Sequence, residues 1–187
     1  MIVEKLETLN EKNWKIVWFW SALALVITIG AGVLFDFPKE TIILTIGVVT
    51  NTLFYKFFRY RAGGILAMPL LALYCLDSPK VCMVLIAIAI IVFIYIEFIF
   101  NSIVMYGRRL YLNACLVSIV LSTITFHSNL IHLTNTIPTY MTVIPGILAY
   151  NLHFDGNNNG HKKTLILAVA QFIMLIIIGK AILLWMR

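Results

Sequence analysis

The sequence predicts an all-α integral membrane protein, and three observations lead there. Of 187 residues, 61% are hydrophobic and 12% charged, and the mean hydropathy is +0.97. Soluble domains run near 45–50% apolar and about 25% charged. The excess is too large for one buried core, because a soluble fold still needs polar residues to cover its surface. The apolar residues also fall into segments interrupted by charges, at lengths that suit the roughly 20 residues of a membrane crossing. Soluble enzymes, nucleic-acid-binding modules and disordered chains are thereby excluded, and the lipid bilayer is the first expected partner.

Seven apolar segments can be marked: residues 14–35, 41–58, 62–76, 81–105, 110–131, 139–153 and 164–186. Segment 14–35 follows a mixed-charge leader and reads as an uncleaved first span. The third and sixth segments are short for a crossing, and each contains a proline. Charge decides that all seven cross. With the N-terminus inside, Lys5, Lys12, Lys15, Lys56, Arg59, Arg61, Arg108, Arg109, Lys162 and Lys163 face the cytoplasm. Outside are Lys39, Lys80, Lys180 and Arg187. That ten-to-four bias follows the positive-inside rule.

The two short segments resemble each other. Gly64 to Leu73 contains Met68-Pro69, and Val143 to Tyr150 contains Pro145-Gly146. They run in opposite directions, so spans 2–4 and 5–7 are expected to be inverted three-helix repeats behind an extra first span. The chain then divides into 1–38 and a membrane domain at 39–187. Proline removes a backbone donor and frees a carbonyl for another helix, a water or a substrate. Gly64, Met68, Pro69, Pro145 and Gly146 are therefore either the broken helices of a midplane site or ordinary kinks.

Glu97 is an acid inside an apolar span, costly unless protonated, paired or facing water. Asn101, one turn on, is its expected hydrogen-bond partner. Glu97, Asn101 and Asn51 each read as a site or as interhelical glue. The four histidines follow residue 126, with no acid near enough in sequence to orient His127 or His132. The three cysteines lack metal spacing, and their odd number argues for buried free thiols. No catalytic set, metal cluster or phosphate-binding glycine loop is expected, and no cofactor.

Three motifs in order carry a family resemblance. Gly47-Val-Val with Gly64 and the stretch Ile65 to Leu73, then Val104-Met-Tyr-Gly-Arg-Arg109, then Val143-Ile-Pro-Gly-Ile-Leu-Ala149, resemble the CapC/PgsC family. These are membrane subunits of bacterial poly-γ-glutamate capsule synthases. The resemblance runs from about Thr41 to the C-terminus. Met68-Pro69 stands where the family has Pro-Gly, Lys56-Phe57 where it has an acidic-basic pair, and residues 1–38 have no counterpart in short members.

The resemblance implies a non-catalytic subunit of the bacterial cytoplasmic membrane. It would anchor a cytoplasmic Mur-ligase-like amide ligase of the CapB/PgsB type, beside a CapA/PgsA-type accessory subunit, and help poly-γ-glutamate leave. Arg59, Arg61, Arg108 and Arg109 are the expected contacts for the polyanion or the ligase. A stand-alone carrier with a site between Pro69 and Pro145, a purely structural anchor, and a homo-oligomer all stay open. No nucleic-acid partner is expected.

Overall fold

A computed structural model describes residues 39–58, 60, 63–103, 105–127 and 139–185, with Leu23 and Val26 before them. The span expected at 14–35, and also Arg59 and Arg61, lie outside the described residues. Within them are six α-helices and no strand: α1 Lys39–Phe58, α2 Ala67–Asp77, α3 Pro79–Ile103, α4 Gly107–His127, α5 Ile144–Asn159 and α6 His161–Trp185, with a 3-10 turn at Thr139–Thr142 before α5. Four of them are long and apolar enough to cross a membrane: Glu40–Phe58, Pro79–Ser102, Gly107–Phe126 and His161–Leu184.

The two short segments become short helices. α2 has 11 residues, about 16 Å at 1.5 Å per residue, or half a hydrocarbon core. It begins five residues later than expected, because Gly63 and Gly64 hold φ of 86° and 102°, which cannot continue a right-handed helix. The sixth expected segment starts instead as the 3-10 turn, and α5 runs on to Asn159. Both short helices sit inside the bundle. Ala67, Met68, Leu71 and Ala72 of α2 are buried, as are Ile144, Leu148 and Ala149 of α5.

The packing follows a plan. α2 lies against α1, α3 and α6, and α5 lies against α4, α6 and α3. α2 and α5 also touch each other, α1 meets α6, and α4 meets α3. α3 and α6, the two longest helices, meet at the first residue of α6, where His161 lies 3.9 Å from Glu97, and stay apart along the rest of their length. Apolar side chains point outward in stripes, with Ile90, Ile94 and Phe98 on α3 and Leu116, Val120 and Ile124 on α4 all exposed. Stripes at a spacing of four residues outside a bundle suit lipid and would be a liability in water.

Tight turns set the helix order. Ser78 alone separates α2 from α3, its N–H bonded to Tyr74 O at 2.8 Å. Pro79, suited to a first helical turn, opens α3 there. This hairpin corrects the free-thiol expectation for two cysteines. Cys75 and Cys82 form a disulfide with Cα atoms 4.9 Å apart, because the reversal brings the last turn of α2 beside the first of α3. Cys115 remains a free, buried thiol. Denatured without reductant, the chain is expected to take up one maleimide, and three after reduction, read as mass added. Three without reductant would rule out the bridge.

Candidate functional site

Neither short helix has a side-chain cap at its start, so neighbouring helices handle the backbone there. Pro69, in the first turn of α2, has no N–H to offer Ile65 O, four residues back. Asn51 of α1 replaces it: its Nδ2 donates to Ile65 O at 3.1 Å and to Gly64 O at 3.0 Å. One turn earlier, Gly47 passes so close to Pro69 that a Cβ would lie 2.7 Å from the ring.

The start of α5 is built the same way. Ser118 of α4 donates to Thr142 O at 2.6 Å, and Ser122 reaches the same oxygen at 3.4 Å. One turn before Ser118, Ala114 meets Gly146, where a Cβ would lie 2.6 Å from the Ala114 carbonyl oxygen. Pro145 is fully buried in the first turn of α5. Pro69 and Pro145 thus stand in the first turns of helices, where proline costs little. The carbonyl that Pro69 frees is taken by another helix.

At the end of the bundle where α3 and α5 finish, the expected Glu97–Asn101 bond gives way to a different one. Asn101 is exposed, and Glu97 Oε1 lies 2.8 Å from Nδ1 of His153 on α5. Asn157, one turn further along α5, places its Nδ2 donor 3.1 Å from His153 Nε2. Nε2 therefore accepts, and Nδ1–H donates to the carboxylate. His153 is 3% exposed, and its ring packs T-shaped on Phe100 at a centroid distance of 4.8 Å. The pair ties α3 to α5. Sequence reasoning missed it because 56 residues separate the partners. The cost of a lone acid in a span was the available signal.

The same end carries the basic residues. Arg108 and Arg109 lie exposed in the first turn of α4, and Lys162 and Lys163 in that of α6. The first turn of α6 contains no acid, although a helix N-terminus favours negative charge. Cations at positive helix ends repel each other and suit an anion supplied from outside. Lys56 ends α1 here too, where a cation is favoured.

Gly107 and Gly160 make the turns at this end with φ of 60° and 94°. Such turns let α3 reverse into α4 and α5 into α6 within a few residues, so both basic pairs emerge at one level. Gly64, buried, packs on Asn151 of α5, and Met68, 4% exposed in the core, packs on the neighbouring Gly63.

Neither a curated protein nor a solved structure matches the chain. The family model for capsule biosynthesis CapC matches residues 46–165, which take in the Asn51 bonds, Glu97, His153 and both basic pairs. An all-helical bundle with four helices of spanning length, lipid-suited on its outside and matched over most of its length, belongs to the capsule biosynthesis CapC family of membrane proteins.

Proposed function

We propose that this chain is the non-catalytic membrane subunit of a poly-γ-glutamate synthesis and export complex. In this reading its basic end holds a cytoplasmic Mur-ligase-like amide ligase or the nascent polyanion. The observation that carries it is the exposed pair Arg108-Arg109 at the start of α4, on the same end as Lys162-Lys163. Arginines at a positive helix end are suited to bidentate capture of carboxylates, and poly-γ-glutamate displays one carboxylate per residue. Arg59 and Arg61 lie in sequence between α1 and α2 and join this surface in the proposal.

Orientation follows from two independent features. Basic residues favour the cytoplasmic side, and the Cys75–Cys82 bridge sits at the opposite end, which suits an oxidising exterior. The chain then lies in the bacterial inner membrane with seven crossings and a cytoplasmic N-terminus. Spans 2–4 and 5–7 are inverted repeats. In support, exchanging α1, α2 and α3 with α4, α5 and α6 maps α2–α5 onto itself and every other helix–helix packing pair onto another observed pair. The exchange also maps Gly47 and Asn51 onto Ala114 and Ser118, four residues apart in each case.

Complementing a deletion strain with Arg108→Ala/Arg109→Ala is expected to cut γ-linked polymer at least tenfold, at unchanged membrane levels of the chain. Two lost charge-assisted contacts at about 1.5 kcal/mol each come to about a hundredfold in affinity, so tenfold is the lower bound. Normal polymer with intact ligase recovery removes these arginines. Unchanged polymer in the deletion strain itself removes the function.

A further inference from the structure

A cavity of about 460 Å³ opens between α3 and α6, floored by α2 and α5. It exists because α3 and α6 come together at His161 and stay apart beyond it. Its size is that of a small-molecule site, roughly 300–1,000 Å³, and its lining is aliphatic and aromatic apart from two residues of α6, His161 and Thr164. Thr164 is 2% exposed, and its Oγ1 has no hydrogen-bond partner. A buried hydroxyl without a partner costs on the order of 1–3 kcal/mol, and among the residues lining this cavity Thr164 carries such a hydroxyl.

Chemistry changes in order along α6. The mouth carries His161, with the exposed Lys162 and Lys163 beside it in the positive first turn. Glu97 lies 3.9 Å from His161, but its carboxylate is engaged by His153 at 2.8 Å. Thr164 is about 4.5 Å deeper than His161 at 1.5 Å per residue. The apolar wall then runs through Ala168 to Phe172, about 12 Å further. An anion, then a hydrogen-bond acceptor, then an apolar tail is the order of groups in an anionic glycerophospholipid.

We propose that this groove binds one anionic phospholipid. Its phosphate rests on the first turn of α6 with Lys162 and Lys163, its ester carbonyl accepts from Thr164 Oγ1, and one acyl chain lies between α3 and α6. The groove and the hydroxyl separate this site from the polyanion surface at Arg108 and Arg109, which has neither. The lipid wedges two helices that otherwise leave a gap, and so stabilises the bundle.

The test is a titration of the purified, delipidated full chain, followed by native mass spectrometry and thermal unfolding. Its arms are phosphatidylglycerol, phosphatidylcholine, inorganic phosphate and a γ-glutamate oligomer. Phosphatidylglycerol is expected to bind in one saturable step and raise the melting temperature, with phosphatidylcholine about tenfold or more weaker. Lys162→Gln/Lys163→Gln should erase that preference. Thr164→Val should weaken both lipids about fivefold. Val169→Trp, at a half-exposed wall position, should block the acyl chain without touching the core, which keeps the test decisive if Thr164→Val misfolds. Equal binding of both lipids, binding unaffected by Val169→Trp, or the same stabilisation by phosphate or the γ-glutamate oligomer alone overturns the proposal.

Discussion

Gly146→Leu is expected to prevent α5 from seating on α4. A Cβ at position 146 would lie 2.6 Å from Ala114 O, 2.9 Å from Ala114 C and 2.9 Å from Cys115 Cα. All three are backbone atoms inside a helix, so no rotamer change relieves the clash. The helices must separate, and that breaks the Ser118–Thr142 bond at 2.6 Å one turn away. Overpacking of this kind costs about 3 kcal/mol or more, a large share of a domain's 5–15 kcal/mol. Gly107→Ala is the control. Nothing lies within 4 Å of its added Cβ, so only the left-handed backbone is penalised, by about 1 kcal/mol. Detergent-solubilised Gly146→Leu should be poorly recovered and melt well below Gly107→Ala. Equal melting temperatures would mean that the α4–α5 crossing is looser than described.

His153→Ala and Glu97→Ala are each expected to loosen the α3–α5 contact. Removing Glu97 leaves the Nδ1–H of His153 unpaired at a position 3% exposed, a cost of about 1–3 kcal/mol. Removing His153 also opens a cavity beside Phe100, so His153→Ala should be the worse of the two. Glu97 is 28% exposed, so water re-solvates part of its carboxylate, and the loss stays below that of a fully buried charge. Glu97→Gln keeps an oxygen to accept from Nδ1–H and should retain most of the stability. The double alanine variant should fall short of the summed single losses by about 1 kcal/mol or more. Strict additivity would show that the 2.8 Å contact carries no coupling. Glu97→Gln as damaging as Glu97→Ala would show that charge, rather than the hydrogen bond, holds the helices.

Where sequence and structure diverge, the reason is distance along the chain. Asn101 was the natural partner for Glu97 because it is four residues away on the same helix, and helical spacing is all that a single sequence exposes. The preferred acceptor–donor pairing instead spans two helices, with His153 carried to Glu97 by the descent of α5. Pro69 and Pro145 were legible as breaks, and they do mark helix starts. Whether the carbonyl freed by Pro69 faced a ligand or a neighbour depended on Asn51, which sits on α1 and is 14 residues from Ile65 in sequence. The pairing of Cys75 with Cys82 was hidden for a similar reason. Seven residues separate them, and only the one-residue turn at Ser78 makes that spacing a bridge rather than two turns of continuous helix.

Composition by itself determined that this chain is a helical membrane protein, because so few polar groups cannot clothe a soluble surface. Scarce charges also marked one basic end, since the paired arginines and lysines at 108–109 and 162–163 sit where apolar runs stop. Family membership was legible too, in short motifs that include the starts of α2, α4 and α5 and the stretch of α1 that packs on Pro69. Only the tertiary structure decided which buried polar groups satisfy one another. In a low-dielectric interior every such group must find a partner, and packing selects that partner from residues far apart in the chain. The same packing lets α3 and α6 part beyond His161, where the Thr164 hydroxyl stays unpaired.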